Sequence, residues 1–315
     1  MKYSIIVPVY NESENIAPLH REITETMNSI GEPYEIIFID DGSDDNTVEV
    51  MRTLSPLTII QMRKNFGQTA AMDAAFKHAA GEFFITLDGD GQNPPSEIPK
   101  LIEVQKQGDF DIVSGWRKHR QDPFFKRIVS RGAYRMRNLL VKDHIHDSGC
   151  SLKIYRRECF EDVDLFGEMH RFIPAVLGWS GFTVGEAVVE HRARRHGTTK
   201  YNWKRVVKGF IDMLAVWFWR RYSARPLHLF GGLGMILIFC GVALAAFLAV
   251  RWFFLAQGLA NSNLPLVAVL CVVLGVQFFV SGILADIGIR TYHRKKHMPY
   301  SIKRISKTSA PDDAS

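Results

Sequence analysis

Two stretches without Asp, Glu, Lys or Arg dominate the last third of the chain, Leu227–Val250 and Leu264–Ala285. A helix needs ~20 apolar residues to cross the hydrocarbon core of a bilayer, and both stretches reach that length. A pair of buried core helices is the plain alternative, but a chain of 315 residues seldom needs two in succession. Basic residues orient the pair. The connector Arg251–Asn263 carries only Arg251, whereas Arg290, Arg294, Lys295, Lys296, Lys303, Arg304 and Lys307 follow the second stretch. Positive charge stays on the cytosolic side, so the tail is expected there, and two spans return the N-terminal part to the same side. At the N-terminus a single Lys precedes the short run Tyr3–Val9, which is not a signal-peptide pattern. The expectation is a multi-pass protein of the inner (plasma) membrane with a cytosolic N-terminal domain.

Charge and cysteine usage fit that setting. The net charge is +6, which is compatible with nucleic acid, anionic lipid or phosphorylated substrates. Its distribution favours the last two and speaks against nucleic acid. Trp203–Arg225 mixes Lys204, Arg205, Lys208, Arg220, Arg221 and Arg225 with Trp203, Phe210, Trp217, Phe218 and Trp219. Helices of that composition lie in the headgroup layer and contact membrane lipids. The four cysteines show neither zinc spacing nor a disulfide framework. The expected organisation is a cytosolic domain over 1–202, an interfacial amphipathic segment over 203–226, two transmembrane helices over 227–290 and a basic cytosolic tail over 291–315. Ser306–Ser315 reads as disordered.

Before Pro226, apolar runs of strand length alternate with helical periodicity. Tyr3–Val9, Tyr34–Asp40, Leu57–Met62 and Glu82–Asp88 read as strands. Ile16, Leu19, Ile23, Met27 and Ile30 recur at helical spacing, behind a capping box of Asn11 and Glu14 and ahead of a stop at Gly31. Further helices are expected over Asn46–Leu54, Gln68–Ala80 and Ser96–Gln107. This alternation predicts an α/β fold with a doubly wound, mostly parallel sheet. Ligands of such sheets bind beyond the carboxyl ends of the strands, where Asp40-Asp41 and Asp88-Gly89-Asp90 fall.

Asp88 and Asp90, with the Gln92 amide, form a hard-oxygen set suited to Mg²⁺ or Mn²⁺. Such an ion bridges the phosphates of a nucleotide diphosphate and stabilises it as a leaving group. Asp-x-Asp alone is common, and two surface carboxylates flanking a turn is its plain alternative. Asp40-Asp41-Gly42-Ser43 likewise reads as an Asx turn, or as a site where Asp40 accepts hydrogen bonds from a base or ribose. Arg117, Lys118, Arg120, Lys126, Arg127, Arg131, Arg135 and Arg137 form a basic cluster, and Arg192, Arg194 and Arg195 a second. Some of these arginines can clamp phosphate bidentately.

Taken in order, Ile6-Val7-Pro8-Val9-Tyr10-Asn11-Glu12, Asp40-Asp41-Gly42-Ser43, Leu87-Asp88-Gly89-Asp90-Gly91-Gln92, Asp147-Ser148-Gly149-Cys150-Ser151-Leu152-Lys153 and Arg194-Arg195-His196-Gly197-Thr198-Thr199-Lys200-Tyr201 form a specific set. The chain resembles the family 2 glycosyltransferases of the GT-A fold, in the branch of dolichol-phosphate mannose synthase and the bacterial polyprenyl-phosphate glycosyltransferases. The resemblance implies that Pro8, Tyr10, Glu12 and Asp40 line a nucleoside pocket. It implies that Asp88, Gly89, Asp90 and Gln92 hold the metal and diphosphate of a GDP- or UDP-linked sugar. Arg117, Arg131, Arg194 and Lys200 would neutralise donor and acceptor phosphates. His170 and Arg171 would sit with Arg131 and Arg194 near a polyprenyl phosphate acceptor, undecaprenyl or dolichyl. Asp147 matches an acidic position placed near the reaction centre. The implied reaction is inverting hexosyl transfer by a single displacement, giving a lipid-linked sugar for export. The family usually has Ser where this chain has Thr199, which keeps the hydroxyl. A homo-oligomer stays open.

Two other classes compete. Asp88-Gly89-Asp90-Gly91 also resembles the nucleophile motif of haloacid-dehalogenase phosphatases, but Gln92 replaces the expected hydroxyl or branched residue. A non-catalytic membrane scaffold that retains the fold is the other, and the intact Asp88, Asp90 and Gln92 set argues against it. A processive synthase would carry Gln-x-x-Arg-Trp, which is absent.

Overall fold

A computed structural model describes residues 1–118, 145–161, 165, 169–192, 217–218, 226–255, 263–294 and 302–308. The chain divides into two units, one of residues 1–216 with 298–315, the other of 217–297.

The first unit is built on one sheet. Its strands are β1 (Tyr3–Val9), β2 (Tyr34–Asp40), β3 (Leu57–Met62), β4 (Phe83–Thr86), β5 (Ile112–Trp116), β6 (Lys153–Arg156), β7 (Val184–Val188) and β8 (Ile302–Thr308). They lie in the order β7-β5-β6-β4-β1-β2-β3-β8. β1 pairs in parallel with β2 and β4, β2 with β3, and β5 with β7; β6 and β8 run antiparallel to their neighbours. The sheet is thus mostly parallel, as the alternation predicts.

Alternate residues of the central strands feed two cores, which is why these strands read as continuous apolar runs. Ile5, Val7 and Phe38 pack with Ile16, Leu19 and Ile23 of α1 (Ile16–Ile30), with Val48 and Met51 of α2 (Thr47–Arg52), and with Leu101 of α4 (Ile98–Gly108). Ile6, Ile37 and Ile39 pack on the other face against Ala71, Ala75 and Phe76 of α3 (Gln68–His78) and Leu177 of α5 (Ile173–Trp179). Helices therefore cover both faces, the doubly wound arrangement.

The start of α1 differs from expectation. Asn15, not Asn11, flanks the helix. Asn11 instead takes a left-handed φ of 56°, donates its N–H to Ser43 Oγ at 2.9 Å and accepts the Asp44 N–H at 2.9 Å. Its side chain ties the loop after β1 to the loop after β2, so it is lost to capping. The helix does end at Gly31, at φ 72°.

The C-terminal strand overturns the disorder expected over Ser306–Ser315 as far as Thr308; residues 309–315 lie outside the described residues. Residues 302–308 pair with β3 from Leu57↔Thr308 to Met62↔Ile302. Without them β3 would present a row of unpaired backbone groups, and the Lys-rich, weakly apolar text of β8 is what edge strands carry.

The second unit contains α6 (Pro226–Leu255) and α7 (Leu264–Arg294), both long and apolar enough to cross a membrane. Only 17% of the most apolar window of each is buried within the chain, which does not fit core helices. Large apolar side chains such as Phe239, Phe253, Phe254 and Leu266 point outward. Glycines at heptad spacing let the two backbones meet. A Cβ at Gly234 would lie 2.6 Å from the Gly275 carbonyl oxygen, and one at Gly241 would lie 2.8 Å from the Ala268 oxygen. Gly275→Leu should therefore part the helices and lower the thermal midpoint of the detergent-solubilised protein by several degrees, since such overpacking costs about 1–3 kcal/mol. Gly232 has open space around it, and Gly232→Leu should leave the midpoint unchanged. Equal midpoints for both variants would refute the packing described.

Candidate active site

The carboxyl ends of β1, β2 and β4 lie side by side, with Val9 in register with Asp40 and Leu87 N–H donating to the Ile6 oxygen. Three loops leave these ends, and each brings carboxylates. The packing leaves no room for a side chain at Gly89, where a Cβ would come 2.9 Å from Val9 Cγ1. At Gly42 it would lie 2.5 Å from the Lys64 backbone, and the φ of 74° independently favours glycine.

In the β2 loop, Asp40 is fully buried. Its Oδ1 accepts the Ser43 N–H at 3.0 Å, while its Oδ2 is buried without a hydrogen-bond partner. An unsatisfied buried acceptor is costly, about 1–3 kcal/mol, and a donor from a ligand or a water could fill the position. Pro8 is half-buried in β1 beside Ile39. Tyr10 is 43% exposed and donates its hydroxyl to Asp44 at 3.5 Å. Glu12 donates its N–H to Thr47 and accepts from the Asn15 amide at 2.6 Å. These four expected pocket residues therefore come from the ends of β1 and β2 and the loop after β1. Asp41 turns the other way: its two oxygens accept the Phe66 N–H at 2.8 Å and the Gly67 N–H at 2.9 Å. Burial raises the Asp41 carboxyl above its usual range, opposed by those two donors.

In the β4 loop, Asp88 is half-buried and Asp90 buried. Burial, and then the Asp90 charge, raise the Asp88 carboxyl; Ser151, Lys153 and Gln68 oppose the rise. Asp88 Oδ1 accepts the Gln68 side-chain amide at 2.8 Å, and Asp90 Oδ1 accepts the Gln92 N–H at 3.1 Å. Each carboxylate oxygen carries two lone pairs, so these bonds leave acceptor capacity for a cation. Two carboxylates two positions apart, each with remaining acceptor capacity, are hard-oxygen donors of the kind a divalent ion takes, and the residues present fit one. The Gln92 carbonyl accepts the Arg192 N–H at 2.9 Å.

Asp147 and Arg117 are brought together across a long stretch of sequence. Arg117 Nε donates to Asp147 Oδ2 at 2.6 Å and Nη2 to Oδ1 at 3.0 Å. Burial works to raise the Asp147 carboxyl, but the Arg117 bonds and charge outweigh it and hold it below the ordinary range. Asp147 is therefore a charged partner that orients Arg117, and a poor proton acceptor near neutral pH. His170 contacts Thr69 in the first turn of α3, with Nδ1 2.9 Å from Oγ1, so it shares that turn with Gln68. Arg171 is exposed. Arg131, Arg194 and Lys200 lie outside the described residues.

Several residues that sequence reasoning passed over carry the site. Ser151 Oγ accepts the Asp88 N–H at 3.1 Å and the Asn93 amide at 2.7 Å. Lys153 is buried and donates to the Cys150 oxygen, and burial lowers its ammonium. Ser151 and Lys153 both lie within the stretch from Asp147 to Lys153. A buried lysine and a serine in a run that ends in an apolar strand were the available signals. Gln68 had none beyond its place after Phe66-Gly67.

Residues 4–164 match the family model described as "Glycosyl transferase family 2". The chain is 38% identical over 314 residues to dodecaprenyl-phosphate galacturonate synthase of Rhizobium johnstonii, covering 97% of this chain and 93% of that protein. Among solved structures, mannosyl-3-phosphoglycerate synthase from Rubrobacter xylanophilus aligns with a TM-score of 0.56 at 16% identity, over 69% of this chain and 74% of its own. Glucosyl-3-phosphoglycerate synthase from Mycobacterium tuberculosis, in complex with Mn²⁺ and UDP-glucose, aligns with a TM-score of 0.54 at 15% identity, over 70% and 78%. These two share the GT-A fold. Neither the phosphatase nor the scaffold reading draws support from any of these relatives. The strand-end carboxylates, the mixed sheet and the near full-length likeness lead to one conclusion: this chain is an enzyme of glycosyl transferase family 2, in its polyprenyl-phosphate branch.

Proposed function

We propose that the protein transfers a hexose-type sugar, neutral or uronic, from a nucleotide-diphosphate donor to the phosphate of a polyprenyl phosphate. The observation that carries this reading is the 38% identity, over nearly the whole of both chains, to a synthase named for a dodecaprenyl phosphate. The geometry supports it. Asp40, with its unpartnered Oδ2, supplies the acceptor for a base or ribose donor, beside Pro8, Tyr10 and Glu12. Asp88, Asp90 and Gln92 would hold Mg²⁺ or Mn²⁺, which when bound neutralises the diphosphate and makes it a better leaving group. The Mn²⁺ and UDP-glucose of the Mycobacterium tuberculosis structure favour the same assignment.

No strong base is needed. A phosphate monoester has its second pKa near ~6 and is largely ionised at neutral pH. Alignment and charge are what the chain must supply. Arg117, held rigid by Asp147, offers a fixed cation, and Arg131, Arg171, Arg194 and Lys200 are the further candidates for the phosphates. His170 is held to Thr69 in the first turn of α3. The expected outcome is inversion in a single displacement. Purified protein in neutral detergent, given a short polyprenyl phosphate, should form a lipid-linked sugar from one of UDP-galacturonate, UDP-glucose or GDP-mannose, detected by mass spectrometry. Hydrolysis of donors without lipid product would contradict the proposal.

The chain associates with membranes through its two apolar helices. We infer that both cross, with residues 1–202 and the C-terminal tail in the cytosol, at the inner membrane, and with 203–226 as an interfacial collar. β8 supports this: a chain that leaves the sheet, enters α6 and α7 and returns to pair with β3 has both ends of the hairpin on one side. A cysteine at Asn263, in a background lacking the four native ones, should react with an impermeant thiol reagent added outside intact cells. Labelling there only after the membrane is opened would reverse the assignment.

A further inference from the structure

Gln68 stands at a junction that the proposed chemistry does not use directly. It is the first residue of α3, and the two backbone N–H groups before it, of Phe66 and Gly67, are both held by the Asp41 carboxylate. Asp41 adjoins Asp40, the proposed contact of the nucleoside. From this anchored position the Gln68 side chain donates to Asp88 Oδ1 at 2.8 Å. A continuous set of hydrogen bonds thus runs from the loop after β2, through the backbone ahead of α3, to the loop after β4. Gly67 takes a φ of 94°, a conformation in which a side chain is strained, and this lets the chain turn into the helix directly after the Asp41 clamp.

On the opposite side, the Asp88 N–H is held by Ser151 Oγ. The backbone of Asp88 and one oxygen of its carboxylate are therefore both fixed by neutral groups. Neutral donors orient a carboxylate without cancelling its charge, whereas a lysine or arginine in the same place would compete with a cation. Carboxylates that ligate metals depend on such partners, and removing one typically lowers metal affinity 10–100-fold.

Resting on the assignment of Asp88 and Asp90 to a divalent ion, we infer that Gln68 is a positioning residue: it sets the Asp88 carboxylate for the cation and, through Asp41, ties the metal end of the donor site to its nucleoside end. His170, bonded to Thr69 one residue further along α3, rides on the same turn.

The test uses the full-length protein in detergent. Free Mn²⁺ is followed by electron paramagnetic resonance as the ion is titrated in the presence of UDP and, in a parallel arm, GDP. Gln68→Met, which keeps the bulk but not the donor, should raise the Mn²⁺ dissociation constant about tenfold. Metal-free binding of the corresponding nucleoside monophosphate and the thermal midpoint should stay at wild-type values. Gln68→Ala serves as the second variant if Gln68→Met lowers the midpoint. An unchanged Mn²⁺ affinity in a folded variant overturns the inference, as does an equal loss of Mn²⁺ and monophosphate binding, which would mark a general collapse of the loop. Wild-type protein that binds no Mn²⁺ with either nucleotide would remove the metal assignment itself, and this inference with it.

Discussion

Asp88 and Asp90 lie in the loop after a buried strand with only Gly89 between them, and keeping a carboxylate charged at the half-buried Asp88 is the constraint around which the site is arranged. Burial and then the neighbouring charge push the Asp88 carboxyl upward, so holding it ionised requires compensation. The protein supplies it in three ways. Neutral donors from Gln68 and Ser151 fix Asp88, the Gln92 backbone caps Asp90, and the buried Lys153 contributes a positive field from behind. None of these uses up the carboxylates' capacity for a cation. Glycine at 89 allows this loop to press against the end of β1, which sets Asp88 and Asp90 beside the loops after β1 and β2.

The same economy of charge explains the pairing of Arg117 with Asp147. A buried guanidinium needs a partner, and the bidentate bond to Asp147 provides one while fixing its direction. The carboxylate that the motif order places near the reaction centre is thereby committed to orientation. This agrees with an acceptor that arrives already ionised. It also suits a chain that carries two helices apolar enough to cross a membrane. A polyprenyl tail leaves the bilayer only at ~0.8 kcal/mol per CH₂ exposed, so the enzyme must work where the phosphate lies.

Much of this was legible in the amino-acid text, and the exceptions have physical causes. β1, β2 and β3 were readable to the residue because both faces of each are covered, and the resulting apolar runs stop at polar turns. The placement of Asp40, Asp88 and Asp90 at or just after strand ends was readable because the apolar runs of β2 and β4 stop there. β8 was not, because an edge strand packed on one side keeps Lys and Ser in its pattern. Asn11 looked like a helix cap because capping and loop-bridging use the same side-chain oxygen. The Arg117–Asp147 pair and the Gln68–Asp88 bond escaped because hydrogen bonds between distant loops leave no local periodicity.

The central claim is that the carboxylates after β4 act through a divalent ion. It is tested most directly by turnover of the purified protein as Mn²⁺ or Mg²⁺ is removed and restored, beside the Asp90→Asn variant. The account predicts that excess chelator abolishes transfer and added metal restores it. It also predicts that Asp90→Asn lowers turnover by at least about a hundredfold, on the order of the loss when one electrostatic stabiliser is removed, while the protein keeps its thermal midpoint. Full turnover in chelator, or full turnover by a folded Asp90→Asn variant, would contradict it.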